Sequence, residues 1–166
     1  MVAANTYRGL TCVPYGGRMT DPTTPNGPDR EAIIAYLTTT YPATDVVTIP
    51  GAWFFSLDPE KHWPNYATIV TTDEHDTGSP SNLSARPDVF RLNLGVDKAT
   101  FQRYAGVDPE PDYTALDRVL PHPVYAAQHW ISILSPAWAT WNETVVPLIA
   151  IAHDRLAAQR ARHGLG

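Results

Sequence analysis

The segment Pro87-Asp88-Val89-Phe90-Arg91-Leu92-Asn93-Leu94-Gly95-Val96 constrains the fold more than any other stretch of the chain. At a side-chain period of two, Phe90, Leu92, Leu94 and Val96 fall on one face, and Val89, Arg91, Asn93 and Gly95 on the other. The pattern predicts a strand with one face fit for a core and the other carrying a guanidinium and a carboxamide. Arginine brings five donors and no acceptor, whereas asparagine brings both kinds of group. Side by side on a rigid strand, the pair can clamp an anion or an amide if a loop roofs that face. If the face is open, they are ordinary outward residues of a half-exposed antiparallel sheet. Periodicity alone leaves both readings standing.

Such a strand needs hydrogen-bonded neighbours, and the sequence offers them. Asp29 is a good N-cap for a helix through Ile33, Ile34 and Leu37 to Tyr41, with Pro42 as its stop. Val46, Val47 and Ile49 lead into the turn signal Pro50-Gly51, and Trp53, Phe54 and Phe55 follow, which predicts a strand or hairpin over 45–57. Residues 66–72 form a β-branched strand, and 73–87 a polar loop. Asp97 caps a short helix bearing Phe101 and Tyr104, and Asp112 caps another with Leu116, Val119 and Leu120. Pro121-His122-Pro123 cannot be helical and leads into a final strand over 129–134. Thr140-Trp141-Asn142-Glu143 reads as a capping box ahead of an apolar stripe at Val145, Leu148, Ile149, Ala152 and Leu156. Pro147 should kink that helix or start a second piece.

Short connections between the early strands favour hairpins over crossovers. The expected class is α+β: a single antiparallel sheet with an N-terminal helix, short middle helices and a long C-terminal helix packed on it. Residues 1–28, rich in Gly and Pro, read as an irregular N-terminal arm, and 29–166 as a single domain long enough to bury a core. Met19 is a plausible alternative start, which would make 1–18 an extension contributing little.

Composition removes several function classes. A net charge of -5 and a pI near 5.6 count against nucleic-acid binding, and Lys61 and Lys98 are the only lysines. Arg155, Arg160 and Arg162 cluster near the C-terminus, where they suit the negative end of a helix dipole. Cys12 is the only cysteine, so neither an intramolecular disulfide nor a thiolate metal site is expected. Nothing near it would depress its pKa as a nucleophile requires. No apolar run is long enough to span a bilayer and no secretory signal opens the chain, so a soluble cytoplasmic protein without membrane contact is expected.

Within these bounds a few residues can carry chemistry. His122 is fixed between two prolines, with Tyr125 three residues on. A histidine with a tyrosine partner can serve as general acid or base near neutral pH. The blander reading is a ring that ties two loops together. Arg86 can join Arg91 or pair with Asp88. Trp53, near a turn, is the preferred aromatic wall of a pocket, and the other aromatics read mostly as core. Asp73-Glu74-His75-Asp76 is the densest donor set, but ligands so close in sequence rarely converge unaided, and a solvated acidic loop is the simpler reading. No metal site is expected. No G-x-S-x-G elbow or Gly-rich phosphate loop occurs, so no cofactor is expected.

The combined expectation is a small polar ligand held by Arg91, Asn93, His122, Tyr125 and Trp53, with Arg86 nearby. In an enzymatic version His122 would be the acid/base and Arg91 would hold a carboxylate or developing oxyanion. The competing expectation is a non-catalytic module acting by protein contact, as a homodimer through its aromatic surface.

The runs Phe90–Val96, Asp112–Arg118, Pro121–Tyr125 and Trp130–Leu134 together closely resemble an uncharacterised bacterial family, domain-of-unknown-function family 6194, over about residues 30–158. The resemblance implies no established activity. Its pattern has acidic residues matching Asp73 and Asp76 but no histidine matching His75. The element order also resembles the MmcQ/YjbR-like fold, with its N-terminal helix, antiparallel sheet, late Trp-bearing strand and closing helix. Some members of that fold are described as DNA-binding-like, a role that the acidic balance here argues against.

Overall fold

A computed structural model describes residues 25–75, 78, 80–106 and 108–164. The readings made for Cys12, Met19 and Asp76 lie outside the described residues. Strands β1 (Asp45–Ile49), β2 (Ala52–Ser56), β3 (Asn65–Val70), β4 (Arg91–Gly95), β5 (Val119–Pro121) and β6 (Trp130–Leu134) form one sheet in the order β1-β2-β3-β4-β6-β5. Every pairing is antiparallel, and β4 lies between β3 and β6. The opening strand of the sequence is therefore central, and the class is α+β.

Helix α1 (Arg30–Thr40) starts where Asp29 accepts the Ala32 N–H at 2.8 Å. Helix α2 (Lys98–Tyr104) starts in the same way at Asp97, which accepts from Thr100 at 2.9 Å. The closing helix runs as α3 (Trp138–Thr140), a π turn over Trp141–Val145, and α4 (Val146–Arg162). Thr140 is already helical and its side chain caps nothing, so the expected capping box is absent. Pro147 falls in the first turn of α4, directly after the π turn. A widened turn thus sits next to the residue that lacks an N–H to give.

A second expectation also fails. Asp112 does not open a helix: its carboxylate accepts the Thr114 N–H at 2.9 Å and the Thr114 hydroxyl at 2.7 Å, closing a local turn. Such side-chain bonds compete with helix formation. Val119 and Leu120 instead enter β5, an edge strand, where Pro121 costs no ladder bond.

The main core lies on one face of the sheet. Leu92, Leu94, Ile131 and Ile133 pack there against Ile33 and Leu37 of α1 and Leu148, Ile149, Ala152 and Leu156 of α4. The other face has its own smaller cluster, in which Ala52, Val70 and Leu134 meet Leu83 and Val89. Those last two come from the segment between β3 and β4, folded back over the sheet. Asp73 holds the fold-back by accepting the N–H groups of Leu83 at 2.9 Å and Ser84 at 3.0 Å. All five residues of β4 are consequently buried, on both faces.

Asn26 and Gly27, at the end of the Gly/Pro-rich arm, are packed against the main body. The Trp138 N–H donates to the Asn26 carbonyl at 3.1 Å, and a Cβ on Gly27 would lie 1.8 Å from the Pro136 carbonyl oxygen. Gly27→Ala is expected to lower stability by about 1–2 kcal/mol through that backbone clash. A urea midpoint unchanged from wild type would show that the contact is not kept in solution. No helix among the described residues is long and apolar enough to cross a membrane.

Candidate functional site

The second face of the sheet opens into a cavity of about 580 Å³. Its floor follows from strand periodicity. Arg91 and Asn93 alternate with core-facing Leu92, and the β3–β4 register sets Asn93 directly opposite Thr68. Arg91 Nε donates to Asn93 Oδ1 at 2.9 Å, and Asn93 Nδ2 donates to Thr68 Oγ1 at 2.9 Å. Arg91 also donates through a terminal nitrogen to Ser81 Oγ at 3.0 Å, on the fold-back segment. Arg91 is 0% and Asn93 1% exposed, yet both line the cavity. The open-face alternative for this pair is thereby settled: the face is roofed.

His122 stands on the next wall. Its N–H donates to the Trp130 carbonyl at 2.9 Å, which anchors the end of β5 to β6. Its Nδ1 accepts two backbone N–H groups, from Val124 at 3.0 Å and Tyr125 at 3.1 Å. A ring nitrogen that accepts carries no proton, so the neutral imidazole holds its hydrogen on Nε2. Burial, and after it the Arg91 charge, push the imidazole pKa down to about 3. The ring is then neutral near physiological pH and offers a hydrogen-bond donor at Nε2. Tyr125 meets it through that backbone N–H and through its ring, with centroids 5.0 Å apart. The phenol is not a partner of Nδ1.

Trp53 and Arg86 stand apart from this cavity. Trp53 packs toward the helical core, with the Arg30 guanidinium 4.5 Å over its ring, and its neighbour Phe54 lines the cavity instead. Arg86 donates to the Thr114 carbonyl at 2.9 Å and braces the fold-back segment. The acidic loop is engaged structurally through the Asp73 contacts above, and His75, whose Nε2 lies 2.8 Å from the Pro50 carbonyl, also lines the cavity. Among the described residues no group of three His, Cys, Asp or Glu side chains is placed to hold a metal ion.

For other lining residues the sequence points elsewhere, Trp63 reading as core and Arg155 as a partner of the helix dipole. Trp63, in the β2–β3 connection, lines the cavity while 65% exposed. Arg155 and Gln159 line it from α4, flanking the buried Leu156. Arg155 has no hydrogen bond or ion pair among the described residues. Arg160, by contrast, donates to Asp58 at 3.0 Å. The Lys61 N–H and then that guanidinium hold the Asp58 carboxyl down at about 2. Gly95 has a role here too, since a Cβ there would meet the Trp130 indole at 3.0 Å. Glycine lets that cavity-lining ring lie across β4. A smaller hollow of about 250 Å³ lies where the start of α1 meets Val89 and Ser135. Its Asp29 caps α1 and its Arg30 pairs with Glu31.

No curated protein and no solved structure matches the chain. The model of one family, described as Family of unknown function (DUF6194), matches residues 28–164. That span takes in the whole sheet, the cavity and the closing helix, and the chain belongs to this family.

Proposed function

We propose that the protein binds a small polar molecule in the cavity over β4, inside the cytoplasm. The observation that carries this reading is the buried Arg91–Asn93–Thr68 floor standing at an open volume of about 580 Å³. Small-molecule sites span roughly 300–1,000 Å³ and pair apolar walls with a few placed polar groups. Burying a guanidinium is costly, and a protein that needs only stability gains more from an apolar side chain of similar size. Phe54 and Trp130 supply the apolar wall, and Trp63 and Tyr125 an exposed aromatic rim.

Binding is better supported than transformation, because His122 is held as a fixed donor. In a catalytic version it would polarise a carbonyl oxygen beside Arg91. The protein-contact alternative has less behind it: Trp63 and Tyr125 belong to the cavity rim, while exposed Ile49 and Trp138 lie elsewhere, on β1 and α3. The likeness to MmcQ/YjbR-like proteins remains a proposal about fold kinship and lends no role.

A metabolite panel screened by thermal shift tests the reading, with Trp63→Ala as the companion variant. Trp63 is too exposed for its loss to unfold the chain. A true ligand at a hundred times its Kd stabilises the wild type by about 2.7 kcal/mol. The shift should shrink in the variant. A panel without any stabilising compound, or one that shifts both proteins equally, sinks the proposal.

A further inference from the structure

We infer that the ligand of this cavity is a carboxylate carried on a planar apolar body. This inference rests on the binding reading above and names its chemical class. The first support is charge. The chain has 17 acidic residues against 12 basic ones, yet among the described residues no Asp or Glu lines the cavity, while Arg91 and Arg155 do. Among the described residues the lining thus carries formal charge of one sign only, and low-dielectric walls focus a field of that sign.

The second support is the donor count. His122 turns its protonated Nε2 away from the two backbone groups on Nδ1, and no described residue accepts from it. Arg155 brings five further donors, likewise without an acceptor. These donors outnumber the one buried acceptor of the described lining that lacks a partner, Asn65 Oδ1, and so match a ligand group that mainly accepts. Carboxylate fits better than phosphate. The part of α4 that lines the cavity is its later turns, where the helix dipole is negative and opposes a dianion. Among the described residues the lining takes nothing from the first turn of an α-helix or from a Gly-rich loop, the usual phosphate cradles; His75 and Gln128 only close single three-residue turns. The planar body follows from Trp63 and Tyr125, two half-open rings brought to the rim by separate connections.

The test uses the full chain and three probes: 2-naphthoate, its uncharged analogue 2-naphthamide, and inorganic phosphate. Affinities are read by ligand-observed NMR titration. Naphthoate should bind about tenfold tighter than the amide, the ratio expected for one modest charge-assisted contact. Arg155→Gln should weaken naphthoate five- to tenfold and leave the amide unchanged, and Trp63→Ala should weaken both. Equal binding of acid and amide overturns the carboxylate class while leaving the cavity as a binding site. Phosphate displacing naphthoate at lower concentration also overturns it, in favour of a phosphorylated ligand. If neither aromatic probe binds at millimolar concentration, or if binding ignores Trp63, this inference fails. A panel hit that depends on Trp63 would then still uphold the binding reading.

Discussion

Arg91→Ala is expected to destabilise the protein by about 3 kcal/mol or more. Arg91 is the largest fully buried side chain in the described structure, so its truncation opens a void at the centre of the sheet. It also strips a donor from Asn93 Oδ1 and another from Ser81 Oγ, both in side chains that are about 1% exposed. Orphaned buried acceptors cost about 1–3 kcal/mol each when no water replaces the lost partner. Arg91→Lys should fall between wild type and alanine. It keeps the charge and most of the volume, but an ammonium on a flexible stem cannot hold the fork that reaches both acceptors.

The cycle with Asn93 separates this account from simple cavity formation. In Arg91→Met with Asn93→Leu, each change removes the group that the other would have orphaned, so the pair should cost less than the sum of the singles by about 1 kcal/mol. Urea denaturation at neutral pH, with unchanged m-values, measures all four corners. Strict additivity would mean that the hydrogen bond contributes nothing, and a cost below about 1 kcal/mol for Arg91→Ala would mean that water already reaches the floor.

The alternation in Pro87–Val96 placed Arg91 and Asn93 on one face because the period of a strand is fixed by its backbone. What it could not supply was the roof. Leu83 and Val89 cover that face from a segment without periodicity, closed by backbone N–H groups that donate to Asp73, a residue that looks, in sequence, like one end of an acidic loop. Trp53-Phe54-Phe55 shows the same limit from another side. Three consecutive aromatics satisfy either parity, and only the paired register with β1 and β3, with Arg30 stacking on Trp53, sends Phe54 to the cavity. Asp112 reads as a helix N-cap because an Asx turn and a helix N-cap share the same first residue. Arg155 could be placed beside the apolar stripe from its position next to Leu156. Its role at a cavity needed the β2–β3 connection, far away in the chain, to bring Trp63 to the same rim.

Acid should expose the state of His122. Its folded pKa is pushed down to about 3, below the ordinary value of 6.5, by burial and then by Arg91. Between those values the unfolded chain takes up a proton that the folded protein refuses. Stability therefore rises with pH across that window, is complete above it, and is lost as the pH falls from 6.5 toward 3. From pH 6.5 to 4.5 the loss is about 2–3 kcal/mol, at 1.36 kcal/mol for each unit. Asp58, Asp97 and Asp112, whose folded pKa values are lowered from 3.8, contribute loss of the same sign, but only as the pH falls into and below the carboxylate range. The window above pH 4.5 thus favours the histidine. His122→Asn is the matched control, because its Oδ1 can still accept the Val124 and Tyr125 N–H groups and does not titrate. Subtracting its unfolding free energy from that of the wild type at each pH should leave a difference that steepens below 6.5. A flat difference would mean that His122 takes up its proton within the fold. The imidazole would then stand at the cavity as a cation, not as a neutral donor, and the acid/base role suggested by its neighbours in sequence would be open again.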